Sequence, residues 1–369
     1  MSEEESRQQL EKEQNNNNHN NDAVESEPEF SENEQEEVNA EEELTEKGNA
    51  MFVHYKSVRK FKRLNNTIDI ARLLELLDDY PDDEEEINCI HMKVNSIPNL
   101  GLERFKNLQT LCLRQNFIID IEGLEPLIAL KELDLYDNKI SHMRGLNHLV
   151  QLENLDLSFN KIKHIKNIDK LVNLNNLYFV SNKISKIENL DTLVNVTNLE
   201  LGANRIRVIE NLDNLVNLTQ LWLGKNKITK LENLGCLKNL RSLSIQSNRL
   251  TKIEGLEELH NLEELYLSHN AIEKIEGLEN NLKLNTLDVA NNMLTKIENL
   301  SHLPELEEFW ANSNKFDNEC YEQVEKEFKN TKTLATIYLE GNPMQLKNRA
   351  TYRNKIKLAL PQIRQIDAT

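Results

Sequence analysis

Cysteine is scarce. The four in the chain, Cys89, Cys112, Cys236 and Cys320, lie far apart and form no C-x-x-C pair. Neither a disulfide framework nor a zinc site is indicated. The acidic N-terminus lacks the apolar core of a signal peptide, and no stretch is long and apolar enough to span a bilayer. An intracellular, reduced environment is therefore expected. A basic stripe is missing too: the formal net charge is -18, which argues against nucleic acid as a main partner. That charge is uneven. Residues 1–47 carry 17 acidic and 3 basic side chains, a contribution of -14, so the remainder is only mildly acidic. No Gly-rich phosphate loop, nucleophile–base pair or His/Cys/Asp cluster at metal spacing is evident, so neither catalysis nor a cofactor or metal is expected.

What is abundant is a period. Asn116, Asn138, Asn160, Asn182, Asn204, Asn226, Asn248, Asn270, Asn292 and Asn314 follow one another at a spacing of 22 residues. Around each runs L-x-x-L-x-L-x-x-N-x-I-x-x-I-x-x-L, as in Leu221, Trp222, Leu223, Asn226, Ile228, Leu231 and Leu234. Two imperfect units flank the run, one read as Ile87, Ile90, Met92 and Asn95, the other as Leu334, Ile337, Leu339 and Asn342. A fixed period of this length with this consensus is the leucine-rich repeat. The L-x-L segment alternates with period 2, which makes a short strand with its leucines inward. The asparagine leaves the strand line, where its amide can satisfy backbone groups that the turn would orphan. The later Ile and Leu positions suit 3₁₀ or irregular segments. No unit buries its own apolar face, so stacking stabilises the array. The expected fold is an α/β leucine-rich-repeat solenoid: a right-handed superhelix with a parallel sheet on its concave side and short helical segments on its convex side.

The domain plan follows. Residues 1–48, Glu-rich with an Asn run at 15–18, are expected to be a disordered acidic tail, with Ser26 and Ser31 set among acids. Residues 49–86 hold a linker and an N-terminal helical cap. The linker includes a basic stretch at 54–63 that fits a solvated segment or a nuclear-import signal, and the cap helix carries Ile70, Leu73, Leu74 and Leu77 before Tyr80–Pro81 stops it. Twelve repeats occupy 87–342. A C-terminal cap occupies 343–369, with a helical stretch from Pro343 to about Leu360. One flaw interrupts the leucine positions at Asn281. Basic residues after the ladder (Lys139, Lys161, Lys183, Arg205, Lys227, Arg249, Lys315) and a row of glutamates from Glu188 to Glu298 read as a solvated face.

One column stands apart. The outward residue between the strand leucines reads His91, Cys112, Asp134, Asp156, Tyr178, Glu200, Trp222, Ser244, Tyr266, Asp288, Trp310, Tyr338. Aromatics are 5% of the chain, yet five of these twelve positions are aromatic and both tryptophans are among them. Cross-strand packing explains one or two such residues. Aromatics alternating with carboxylates point instead to a protein-binding face that selects a partner with basic groups.

The strings LCLRQN (111–116), ELDLYDNKI (132–140), NKISKIENL (182–190), LGKNKITKLENL (223–234), QSNRLTKIEGL (246–256), LYLSHN (265–270), EEFW (307–310) and LALPQIRQIDAT (358–369) resemble the 22-residue leucine-rich-repeat regulators of protein phosphatase 1 over residues 87–369. The resemblance implies a non-catalytic regulatory subunit of nucleus and cytoplasm, active in the cell cycle. It implies the phosphatase catalytic subunit as partner, admits a third regulatory subunit, and implies neither nucleic acid nor membrane. It implies partner contacts at Asp156, Tyr178, Glu200, Trp222, Asp288, Glu308, Trp310 and Tyr338; Tyr266 joins them as a member of the column. Tyr178 and Trp222 depart from the phenylalanine common in the family, keeping ring and bulk. The short basic–Val–x–Phe docking motif of many phosphatase regulators is only approached at Lys56–Phe61, with Phe61 one residue late. The alternatives are a leucine-rich-repeat adaptor for another intracellular complex and a regulator of small GTPases, whose arrays have longer, helical repeats.

Overall fold

Three-residue strands recur because each repeat offers one apolar residue flanked by two outward ones, and then turns. The computed structural model describes residues 77–368. The acidic tail, the basic stretch at 54–63 and most of the cap helix lie outside the described residues. Of that helix the structure describes its end: Leu77 is buried, and Arg104 donates to the carbonyls of Leu77 and Tyr80.

Among the described residues thirteen parallel strands form one sheet in chain order. They are β1 (Glu86–Asn88), β2 (Thr110–Cys112), β3 (Glu132–Asp134), β4 (Asn154–Asp156), β5 (Asn176–Tyr178), β6 (Asn198–Glu200), β7 (Gln220–Trp222), β8 (Ser242–Ser244), β9 (Glu264–Tyr266), β10 (Thr286–Asp288), β11 (Glu308–Trp310), β12 (Thr336–Tyr338) and β13 (Gln365–Ile366). From β2 to β12 the central residue of every strand is buried, and one continuous apolar core runs behind the sheet. The side of the sheet away from that core is open.

Each turn after a strand places the residue before the ladder asparagine in the left-handed region, from Gln115 (φ 57) through Phe159 (φ 55) to Ser313 (φ 55). Non-glycine residues there are strained by about 1 kcal/mol or more. The asparagine offsets it. Asn226 donates through Nδ2 to the carbonyls of Leu201, Leu223 and Gly224 at 2.9, 3.1 and 3.3 Å, while its Oδ1 accepts from the Ile206 N–H at 2.9 Å. The same set repeats at Asn138, Asn160, Asn182, Asn204 and onward, so each side chain ties its own turn to the preceding repeat.

Two further ladders run beside it. Asn167, Asn189, Asn211, Asn233 and Asn299 also have positive φ, and each donates to a carbonyl one repeat back, as Asn211 does to Ile187 at 2.6 Å. Glycine takes this place at Gly123, Gly145, Gly255 and Gly277. A Cβ on Gly255 would stand 2.6 Å from the Leu231 oxygen. Asn173, Asn195, Asn217, Asn239 and Asn261 form the other, each donating to the repeat before it.

Three expectations need correcting. In the first unit Ile87 pairs with Leu111 and Asn88 with Cys112, so Ile87 and Cys89 are the inward residues and both are fully buried. The ladder position falls on Met92, since Val94 N–H bonds Asn116 Oδ1 as Ile118 N–H bonds Asn138 Oδ1. His91 is therefore the exposed turn residue (φ 60), not a member of the column, and two 3₁₀ turns, Pro98–Leu100 and Leu102–Arg104, take up the longer spacing. Second, the segment expected as a helical C-terminal cap also contributes a strand, β13, which pairs with β12. Third, the helical stretch after Pro343 is split into α2 (Pro343–Leu346) and α3 (Tyr352–Ala359); α1 (Cys320–Phe328) precedes β12.

The C-terminal end covers the last repeat with polar pairs as well as apolar ones. Glu327 of α1 accepts from the Leu300 and Ser301 N–H groups. Asp367 accepts through Oδ1 from the N–H groups of Leu339 and Glu340 at 2.9 and 3.0 Å; in the repeat before, the N–H matching Leu339, that of Ala311, goes to the backbone oxygen of Tyr338 on the next strand.

Candidate protein-binding face

Because strand side chains alternate, each strand sends its first and third residues to the open side. The third residues make the central column: Asn88, Cys112, Asp134, Asp156, Tyr178, Glu200, Trp222, Ser244, Tyr266, Asp288, Trp310 and Tyr338 are in register from rung to rung. The first residues make a second column, polar throughout, in which Glu308 stands beside Trp310 on one strand. Residues just past each strand, beginning with Arg114 and Tyr136, flank the other side.

Rungs are about 4.8 Å apart, so rings two rungs apart meet only by leaning across the rung between. They do. Trp222 and Tyr266 stack with centroids 6.3 Å apart, Tyr266 and Trp310 meet tilted at 6.2 Å, and Trp310 and Tyr338, on adjacent strands, stack at 5.8 Å. The intervening residues are small or turned inward. Ser244 and Asp288 are 4% and 3% exposed. Asp288 is satisfied from within: Oδ1 accepts from the Ala290 N–H at 3.0 Å and Oδ2 from Gln246 Nε2 at 3.1 Å, and burial raises its pKa. Asp288, expected at the contact surface, is a support for the rings. Trp222 donates Nε1–H to Asn198 Oδ1 at 3.1 Å, and Asn198 donates on to the Tyr178 hydroxyl at 3.4 Å. The Trp310 Nε1 is buried without a hydrogen-bond partner among the described residues. Burial, then Glu264 and Glu308, pushes the Tyr266 hydroxyl pKa up, placing both carboxylates around that ring.

The other half of the column is electrostatic. Asp156 is pushed up to about 6, first by burial and then by the charge of Asp134. Glu200 is pushed up to about 7, first by burial and then by Asp156. Arg114, from the flanking position, pairs with Asp134 at 2.9 Å, lies 3.9 Å from Asp156 and stacks 4.1 Å over the Tyr136 ring. Tyr136 in turn meets Phe159 at 4.8 Å. Arg114 compensates Asp134, and among the described residues no ion pair reaches Glu200. The flanking pair Arg114 and Tyr136 was open to the same period-22 reading as the column, two positions further along, and was missed there.

Burial pushes the Cys89 and Cys112 thiols up to about 12, which keeps them protonated and poorly nucleophilic at neutral pH. Among the described residues no group of His, Cys, Asp and Glu is placed to hold a metal.

Comparison with known proteins agrees with the architecture. The family model "Leucine Rich repeats (2 copies)" matches residues 106–148, 194–236 and 238–280. The chain superposes on an internalin, InlF, of Listeria monocytogenes with a TM-score of 0.63 at 23% identity, covering 81% of this chain and 94% of that one. It superposes on a leucine-rich-repeat protein of Leptospira interrogans with a TM-score of 0.61 at 25% identity, covering 78% and 84%. In sequence it is 53% identical over 67 residues to protein phosphatase 1 regulatory subunit SDS22 of Schizosaccharomyces pombe, covering 18% of this chain and 20% of that protein. It is 56% identical over 43 residues to protein phosphatase 1 regulatory subunit 7 of Homo sapiens, covering 12% and 11%. The aligned stretches thus span a fifth or less of these relatives. The chain is a leucine-rich-repeat solenoid protein, similar over those stretches to the 22-residue-repeat regulatory subunits of protein phosphatase 1.

Proposed function

We propose that this chain is a non-catalytic regulatory subunit that binds the catalytic subunit of protein phosphatase 1 across the open face of its sheet. The names of its relatives supply the partner. The observation that carries the face is the ring ladder Trp222–Tyr266–Trp310–Tyr338, bordered by Glu264 and Glu308 and continued by Tyr178, Glu200 and Asp156. Solvent-facing aromatics held at fixed spacing lose little rotamer entropy on binding and make typical hot spots, and surrounding carboxylates select a basic partner surface.

The test is direct binding of the purified full-length chain to the catalytic subunit, wild type against Glu308→Ala/Trp310→Ala. Truncating one hot spot loses on the order of 2–4 kcal/mol, so the double variant should bind at least about a hundredfold more weakly while unfolding at a similar temperature. Equal binding by both would move the contact off this face. No binding by either would favour an adaptor for a different intracellular complex. We further place the complex in nucleus and cytoplasm on the basic stretch 54–63. Alanine in place of Lys56, Arg59, Lys60, Lys62 and Arg63 in a fluorescently tagged chain should then reduce its nuclear share.

A further inference from the structure

On a chain of net charge -18 one cleft is basic. It is built by the loops that follow the ladder asparagines of two neighbouring repeats, Ser141–Arg144 and Lys161–Asn167, and has a volume of about 470 Å³. Its cations are Arg144, Lys161, Lys163 and Lys166, with His142 and His164 between them and the buried Met143 among its lining residues.

Comparison with the other repeats shows what is unusual. Six residues past the ladder asparagine, the repeats from Asn182 to Asn292 all carry glutamate, Glu188 through Glu298. In two of those, Glu232 and Glu276 lie 3.8 and 3.3 Å from Lys230 and Lys274, so the surface neutralises itself. In the two cleft repeats that place is held by Arg144 and Lys166, and two more lysines stand beside them. None of the four cations is ion-paired among the described residues, whereas the neighbouring Glu188 pairs with His164 at 3.1 Å. Like charges gathered without counter-charge destabilise a fold slightly; a bound anion would relieve that.

We propose that this cleft docks an acidic segment of a partner polypeptide, at a surface separate from the open face of the sheet. The distribution of charge selects that occupant. Lysine ammoniums are point charges on flexible stems, suited to a series of carboxylates along a chain, and Arg144 is the one cation of the four with the planar fork that matches a single anion bidentately. The four cations lie on the loops of two repeats and fit a short extended segment. A long polyanion would run on to Asp120 and Glu122 of the repeat before and Glu188 of the repeat after, which opposes it.

The experiment measures binding of a fluorescently labelled short poly-glutamate peptide to the full-length protein by anisotropy. The expected result is saturable binding that weakens steeply as salt rises, and a loss of about tenfold or more in Lys161→Glu/Lys163→Glu/Lys166→Glu. The neutral variant Lys161→Gln/Lys163→Gln/Lys166→Gln should fall between. A control that reverses lysines of later repeats, Lys227→Glu/Lys230→Glu/Lys252→Glu, should bind as wild type does. Thermal unfolding of each variant separates loss of the site from loss of the fold. The proposal is overturned if the peptide does not bind, or if the control loses as much as the cleft variant. Preferential binding of duplex DNA, of phosphoinositide-containing vesicles or of inorganic phosphate over the peptide would overturn it equally.

Discussion

The asparagine side chains show how much one residue type can hold. Each ladder Asn is the only side chain of its size with two donors and a two-lone-pair acceptor in one planar group, and Asn226 uses both its donor and its acceptor ends within 3.3 Å. Asn226→Ala leaves the buried Ile206 N–H unpaired and strips donors from the turn. A loss of about 3 kcal/mol is expected, read as a lower urea midpoint with unchanged slope. A leucine at the same site should do no better, because the orphaned N–H remains. Asn281 predicts the opposite sign. It is fully buried where the flanking repeats have Leu259 and Leu303, and its Oδ1 has no partner. The two carbonyls its Nδ2 reaches, Leu256 and Leu259, already accept from the N–H groups of Leu259 and Leu262. Asn281→Leu therefore removes an unsatisfied acceptor without creating a new one, and should stabilise by about 1 kcal/mol. A lower urea midpoint in that variant would show that the pocket is too small for the extra methyl groups.

At the scale of the element, the closing segment decides whether the array keeps its end. Asp367 takes the place of the strand carbonyl that a further repeat would offer, accepting from the Leu339 and Glu340 N–H groups and from the Tyr352 hydroxyl at 3.3 Å. Asp367→Ala should free β13 and α3, so that amides of β12 and β13 exchange faster by hydrogen exchange while those of β5 to β8 stay protected, as expected where each repeat touches only its neighbours. Uniform acceleration along the array would contradict this. The central repeats were legible in the sequence because period 22 and period 2 agree there: Leu133, Leu155 and Leu177 can only point inward. The first unit was not. Ile87, Cys89, Ile90 and Met92 satisfy the pattern in more than one register, and which pair goes inside is settled by what meets Leu111 and Leu113, a contact 24 residues away for Ile87. Nor does a column of letters tell a ring from its support. Asp288 and Trp310 occupy the same position in consecutive repeats, but Asp288 is covered because the rings of Tyr266 and Trp310 lean together across it. That depends on the size of neighbours two repeats apart. The second and third asparagine ladders carried the same periodic signal as the first and stand at loop positions that the leucine consensus leaves unspecified.

For the whole molecule, the open face sets stability against recognition. Asp156 and Glu200 titrate near 6 and 7, against ordinary values of 3.8 and 4.5. Raised carboxyl values mean that the folded chain holds protons which the unfolded chain releases, so stability falls as pH climbs from about 4 to about 7 and levels off above. Below about pH 4 both groups are protonated in either state and contribute nothing to the slope. A partner that brings a guanidinium or ammonium to Glu200 and Asp156 favours the ionised forms and expels those protons, so its affinity rises over the same interval in which the free chain weakens. Two curves of opposite slope are thus expected between about pH 4 and pH 7: a falling unfolding temperature for the free chain and a tightening dissociation constant for the complex. Asp156→Asn/Glu200→Gln should flatten both, raising the unfolding temperature at the alkaline end and removing the pH dependence of binding while leaving the ring ladder intact. If the variant flattens the stability curve alone, the partner's cations contact the face elsewhere, and Glu264 and Glu308 around Tyr266 become the carboxylates to replace next.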